Sequence, residues 1–215
     1  MIKKTVIINR AVPGSGKTTI TNCIVNELKN NDINVAMHST DEYFMVGNRY
    51  VFDIIKLYTY HQKNLREFEK SIIKKVDVVI CYNTNIAPWQ TEIYTELARK
   101  YNYQIIIITL DPRELQEHVA SQKVTAEKPD AHGVSEEILK MMIKEYYIYD
   151  DLLNPKIIID SEKHLQYKWD SKNNNKIICG IAKHFDSDYV IRIFPNEYKK
   201  AQKNIGKKII TLIER

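Results

Sequence analysis

Near its start the chain carries Ala11-Val12-Pro13-Gly14-Ser15-Gly16-Lys17-Thr18-Thr19, a run with the residue types and spacing of a phosphate-binding loop. Glycines at such positions let successive backbone N–H groups turn inward around an anion, and a helix opening at the end of the loop adds its dipole. In that arrangement Pro13, Gly14, Ser15, Gly16, Lys17, Thr18 and Thr19 line a nucleoside triphosphate. Lys17 reaches the β- and γ-phosphates, and the Thr18 hydroxyl sits on Mg²⁺. Ala11 stands where the usual pattern has its first glycine, which costs little if the backbone there has negative φ.

A second residue able to do chemistry is Asp41, within Ser39-Thr40-Asp41-Glu42-Tyr43-Phe44. A carboxylate at the carboxyl end of a parallel strand can accept a proton from an attacking hydroxyl or order the shell of a magnesium ion. Asp is equally suited to capping the next helix, and the residues alone leave both readings open. The rings of Tyr43, Phe44, Trp89 and Tyr94 are suited to stacking on a base, though core packing is the commoner fate of such side chains.

These residues need a scaffold that brings two loops together. Residues 5–8 are short, apolar and β-branched, and Ile20, Ile24 and Leu28 recur every four residues; strand, loop and helix should follow one another. Residues 34–38 predict a second strand. Residues 52–75 predict a long helix with Ile54, Tyr58, His61, Leu65, Phe68 and Ile72 facing inward. A buried central strand is expected over 76–81, a helix opened by Pro88 over 88–100, and a strand over 104–110. Another helix starts at Asp111-Pro112. Residues 121–134, broken by Pro129 and Gly133, read as a polar lid loop, and Ser135 caps the helix after it. A fifth strand is expected over 156–160.

This alternation implies an α/β fold: a P-loop-type parallel sheet covered by helices on both faces, with Asp41 and the phosphate loop in one crevice. Residues 165–169, 177–182 and 189–194 read as short antiparallel strands. The expected organisation is one domain over 1–160 and a small β-rich appendage over 161–215.

Charge follows that division. The chain of 215 residues has a net charge of +5. Residues 161–215 hold twelve Lys/Arg against six Asp/Glu, or +6, and residues 1–160 hold twenty against twenty-one. A basic tail behind a neutral domain suits an anionic partner or, equally, a solvated lysine face. Cys23, Cys81 and Cys179 are too few and scattered for a disulfide framework or a zinc site. No run approaches the ~20 apolar residues of a membrane span, and Met1-Ile2-Lys3-Lys4 leads directly into the first strand. The expected setting is cytoplasmic, with no membrane partner.

Four segments occur in a familiar order: 11–19, 39–44, Asn83-Thr84-Asn85 with Trp89, and His132-Gly133-Val134-Ser135. Together they make residues 5–160 resemble the P-loop kinases grouped around polynucleotide 5′-hydroxyl kinase, to which the zeta-toxin kinases are similar. The resemblance implies a kinase domain over 1–160 that uses ATP and Mg²⁺. It implies Asp41 as general base toward the acceptor hydroxyl, with Asn83 and Asn85 beside the acceptor. The implied acceptor is a polynucleotide, RNA or DNA. A small-molecule or zeta-toxin-like kinase, and a nucleotide-binding module with little turnover, stand as alternatives.

Two positions depart from that family. Tyr82 stands where relatives often have an Asp serving the magnesium shell, which leaves Asp41 to serve it. The lid offers Lys123 and Lys128 where relatives place arginines on the transferring phosphoryl group, with Arg113 as a further candidate. His61 and His132 read mainly as packing or hydrogen-bonding residues.

Overall fold

Val6-Ile7-Ile8, Val78-Val79-Ile80 and Ile105-Ile106-Ile107-Ile108 are buried completely, on both faces of one sheet. Side chains alternate across a strand, so runs this uniform require a cover on each side. The structure, a computed structural model, describes residues 2–126, 133–150, 157–158 and 185–214. It places β1 (Thr5–Arg10) at the centre, between β5 (Val78–Cys81) and β6 (Gln104–Leu110). Outside them lie β2 (Val35–His38) on one side, and β8 (Tyr189–Ile193) followed by β7 (Ile157–Ile158) on the other. Every pair in this sheet is parallel, with Thr5 opposite both Val78 and Gln104. A separate antiparallel pair joins β3 (Met45–Val46) to β4 (Arg49–Tyr50). The fold is the α/β, P-loop kinase-like class that the sequence implies.

Each face has its own core. Ile7, Ile80, Ile106, Ile108 and Ile191 meet Ile20, Ile24 and Leu28 of α1 (Lys17–Asn30), with Ile205, Ile209 and Leu212 of α6 (Tyr198–Ile213). On the other face Val6, Ile8, Val79 and Ile107 meet Phe68 and Ile72 of α2 (Ile54–Ile73), with Tyr94 and Ala98 of α3 (Pro88–Lys100). Burying each of the larger side chains contributes roughly 1.5–3 kcal/mol. Helix α6 presses so closely on α1 that a Cβ on Gly206 would run into Glu27 and stand 3.2 Å from the Cys23 carbonyl. After β6 come α4 (Leu115–Ala126) and α5 (Glu136–Ile148), and the Ser135 hydroxyl accepts the Ile138 N–H at 3.4 Å as the expected cap. No helix among the described residues is long and apolar enough to cross a membrane.

Three expectations need correction. The strand at 189–194 is not antiparallel: β8 runs parallel inside the main sheet, and α6 covers α1. Among residues 185–214, β8 thus lies in the main sheet and α6 in the core that α1 shares. The segments expected at 165–169 and 177–182, with Cys179, lie outside the described residues. The N-terminal half of α2 does not bury the expected face: Ile54 is 67% and Tyr58 74% exposed, and only Asn64, Phe68 and Ile72 are fully packed. That half stands beside the Thr40–Phe44 turn, before the helix reaches β2 and β5. Finally, residues 121–126 continue α4 instead of forming a loop; residues 127–132 lie outside the described set.

Candidate functional site

The crevice is made where the carboxyl ends of β1, β2, β5 and β6 meet, the usual ligand position of an open parallel sheet. After β1 the chain enters the loop, with Gly14 at φ 81° and Gly16 at φ 89°. Side-chain-bearing residues resist that left-handed region. Ala11 lies outside it, so the missing glycine costs nothing there, and its N–H donates to the Thr84 carbonyl at 2.9 Å. The Tyr198 hydroxyl donates to the Gly16 carbonyl at 2.9 Å, and a Cβ on Gly16 would land on that hydroxyl. The Ser15 hydroxyl is buried with no partner among the described residues. An unpaired buried donor inside a glycine-bearing loop at a helix start suits a phosphate oxygen.

Lys17 opens α1 half-buried, and Thr18 and Thr19 stand exposed in its first turn. Burial draws the Lys17 pKa down, while the charge of Asp41 lies near enough to act against that shift. Asp41 lies on a single 3₁₀ turn, Thr40–Phe44, whose cap is Ser39: its hydroxyl accepts the Asp41 N–H at 3.3 Å. The Asp41 carboxylate is exposed and is not the cap of this turn. Asp53 fills that role for α2. Oδ1 of Asp41 accepts the Tyr50 hydroxyl at 3.4 Å. Beside it, His61 Nδ1 lies 2.9 Å from the Thr40 hydroxyl; burial lowers its pKa, with Asp41 opposing.

Asn83 positions this turn. Its Oδ1 accepts the Thr40 N–H at 2.8 Å, and its Nδ2 donates to the Tyr94 hydroxyl at 3.2 Å. Asn85, at φ 47°, donates from Nδ2 to the Asn9 carbonyl at 2.9 Å. Asn83 thus ties the Thr40 turn to α3, and Asn85 ties its own loop to the end of β1. Tyr82 donates its phenol to Glu42, so the second carboxylate at this corner comes from position 42. Of the aromatic candidates, Phe44 and Tyr94 are core residues, while Trp89 is 47% exposed and meets Tyr149 edge-on.

Arg113 comes to the loop from the far side, its guanidinium 5.3 Å from the centre of the Tyr198 ring. Lys123 sits on α4 with its side chain outside the described set, as does all of Lys128. Among the oxygen donors that could hold a magnesium ion are the Thr18 hydroxyl and the Asp41 carboxylate. Both are hard oxygens and both are exposed, which fits that ion.

One part of the site escaped the sequence altogether. Arg10, fully buried at the end of β1, donates to the carbonyls of Ile86 at 3.0 Å and Tyr146 at 2.6 Å, and stacks 3.8 Å from the centre of the Tyr146 ring. Arg192 forks onto Asp111 with Nε–Oδ1 at 2.7 Å and Nη2–Oδ2 at 2.6 Å, and reaches Asp150 at 3.1 Å. The Tyr146 hydroxyl closes the network on Asp111 at 2.8 Å. It ties the end of α5 to three strand ends. The available signal was an arginine following the apolar strand, Ile7-Ile8-Asn9-Arg10, since a charge in such a place must be paired.

Comparison with known proteins agrees at the level of the fold. A family profile described as NTPase matches residues 6–111, just under half of the chain. Human NEDD4-binding protein 2 is 27% identical over 146 residues, which are 65% of this chain and 7% of that protein. The chain therefore spans only a small part of that relative. Kti12 of Chaetomium thermophilum, solved with ADP-AlF3, superposes with a TM-score of 0.58 at 9% identity over 97% of this chain and 98% of that one. A chain of the Pnkp1/Rnl/Hen1 RNA repair complex gives 0.57 at 12% identity, over 99% and 86%. The APS kinase CysC of Mycobacterium tuberculosis, solved with AMPPNP and APS, gives 0.52 at 11% identity over the whole of both chains. At such identities the likeness is one of fold: a P-loop NTPase, kinase-like fold.

Proposed function

We propose that this chain is an ATP-dependent kinase that moves the γ-phosphoryl group to a hydroxyl acceptor, the 5′-hydroxyl of a polynucleotide. The observation that carries the reading is Asp41, whose exposed carboxylate lies near enough for its charge to act on Lys17 and does not cap its own turn. A carboxylate held near a phosphate loop can take the proton of an attacking hydroxyl. The hydroxyl oxygen then bonds to the γ-phosphorus, the bond to the β,γ-bridging oxygen breaks, and ADP leaves. Gly14, Ser15, Gly16 and Lys17 hold the polyphosphate, and Arg113 with Lys123 or Lys128 neutralises charge on the transferring group. Thr18 and Asp41 would hold Mg²⁺, which supplies charge neutralisation when bound.

Helix α6 supports the polynucleotide acceptor. It starts at the phosphate loop and exposes Lys199, Lys203 and Lys207 in one line, four residues apart, with Lys200 beside them. A line of cations leading from the site suits a phosphate backbone. The test uses γ-labelled ATP with single-stranded RNA and DNA bearing either a 5′-hydroxyl or a 5′-phosphate, and with free nucleosides. Label on the 5′-hydroxyl strands alone supports the reading. Label on the nucleosides alone moves the acceptor to a small molecule, and ATP binding without transfer overturns the kinase.

A further inference from the structure

Helix α4 turns a polar face onto the phosphate loop. A Cβ on Gly14 would stand 3.2 Å from His118 Nδ1, 3.3 Å from Gln122 Nε2 and 3.6 Å from the Ser121 hydroxyl. The His118 ring is fully buried and bridges two backbones: Nδ1 lies 2.9 Å from the Pro13 carbonyl, and Nε2 lies 2.9 Å from the Arg113 nitrogen. A carbonyl can only accept and an amide N–H can only donate. The imidazole is therefore neutral, with its hydrogen on Nδ1. A second proton on Nε2 would face the Arg113 N–H, remove its acceptor and leave two donors opposed in a buried place.

We propose that His118 is a positioning residue of the phosphate loop: its neutral ring clamps α4 onto Pro13 and so holds the loop in the shape that receives the polyphosphate. The proposal rests on reading 11–19 as the nucleotide site. Charged groups act on the ring from three places. Arg113 before α4 and Lys17 on α1 resist its protonation, and Glu117 on α4 favours it together with the hydrogen bond to Pro13. Burial is the largest influence, and the resulting pKa lies below the ordinary histidine value. The clamp is thus intact at neutral pH and opens as the pH falls through that lowered pKa. Neither Lys123 nor Lys128 is needed for it, and a neutral ring at 118 brings no charge to the phosphates.

The test is the affinity for Mg-ATP measured by calorimetry from pH 8 down to the pH at which the fold itself is lost, in the wild type, His118→Gln and His118→Leu. Glutamine can donate and accept but does not titrate, so His118→Gln should bind within about threefold of wild type at pH 8 and depart from it at acid pH. Wild type should lose about tenfold more affinity than His118→Gln on acidification, the scale of one unmade buried hydrogen bond. Protonation of ATP itself is common to all three proteins and cancels in that difference. His118→Leu should bind about tenfold more weakly at pH 8. Parallel profiles for wild type and His118→Gln overturn the clamp even if His118→Leu fails to fold. Wild type that binds no ATP at pH 8 overturns the nucleotide reading itself.

Discussion

Replacing Arg192 with leucine isolates the buried network that fixes α5 to the sheet. In the intact protein Asp111 is 8% exposed and receives Arg192 Nε at 2.7 Å and Nη2 at 2.6 Å, with the Tyr146 hydroxyl at 2.8 Å. Without Arg192 the carboxylate keeps only the phenol, in a place that water barely reaches. Breaking a buried pair from one side costs about 3–5 kcal/mol, since an uncompensated charge is left behind. For a domain of this size each kcal/mol lowers Tm by about 2–4 °C, so a fall of roughly 6–20 °C is expected. Thermal unfolding followed by circular dichroism measures it. Replacing Asp111 and Arg192 together by leucine should recover more than half of the loss, because neither charge is then stranded. A fall of less than about 2 °C in the single variant, or a double variant worse than the single, would refute the account of this pair.

Other substitutions test the loop and the basic helix. Gly16→Ala puts a Cβ at φ 89° against the Tyr198 hydroxyl; it should cost about 1–3 kcal/mol in stability and weaken ATP binding, both visible in thermal shift with and without nucleotide. Lys17→Ala should abolish measurable ATP binding or turnover while leaving circular dichroism unchanged, the outcome required by the proposed contact of its ammonium with the phosphates. Changing Lys199, Lys203 and Lys207 together to glutamine should reduce the salt dependence of oligonucleotide binding by about two units in slope, each contact contributing about 0.7 for a single strand. ATP affinity should stay as it was. An unchanged slope would remove α6 from the nucleic-acid surface.

The sheet was legible because its signals are local. Ile20, Ile24 and Leu28 mark a helix face, Pro88 marks a helix start, and uniform apolar runs mark central strands; the helix over 88–100 and the strand over 104–110 match to the residue. Beyond β7 the strand expected over 189–194 is present as β8, but the helix after it was not legible. Lysines dominate residues 198–208, and that charge hid Ala201, Ile205, Ile209 and Leu212, which recur at helical spacing and are fully buried. The direction of β8 is also invisible in its own residues, since parallel and antiparallel strands with two buried faces read alike. At the site, the motifs singled out Asn83 and Asn85, but not that their amides bond the Thr40 N–H and the Asn9 carbonyl. A side chain's partner across 40 or 70 residues depends on how the loops cross. His118 shows the same limit: its role depends on Pro13, which lies 105 residues away.

The central claim is that Asp41 accepts the proton of an acceptor hydroxyl. The most direct measurement is single-turnover transfer from γ-labelled ATP to a 5′-hydroxyl oligonucleotide, by wild type and by Asp41→Asn, at saturating ATP. The amide keeps the size of the carboxylate and can still accept the Tyr50 hydroxyl, and the cap belongs to Ser39, so fold and ATP affinity should persist. The transfer rate should fall by about 10²-fold or more, the scale of general-base loss. Transfer by Asp41→Asn at the wild-type rate, or a wild type that labels no hydroxyl acceptor, would contradict the account.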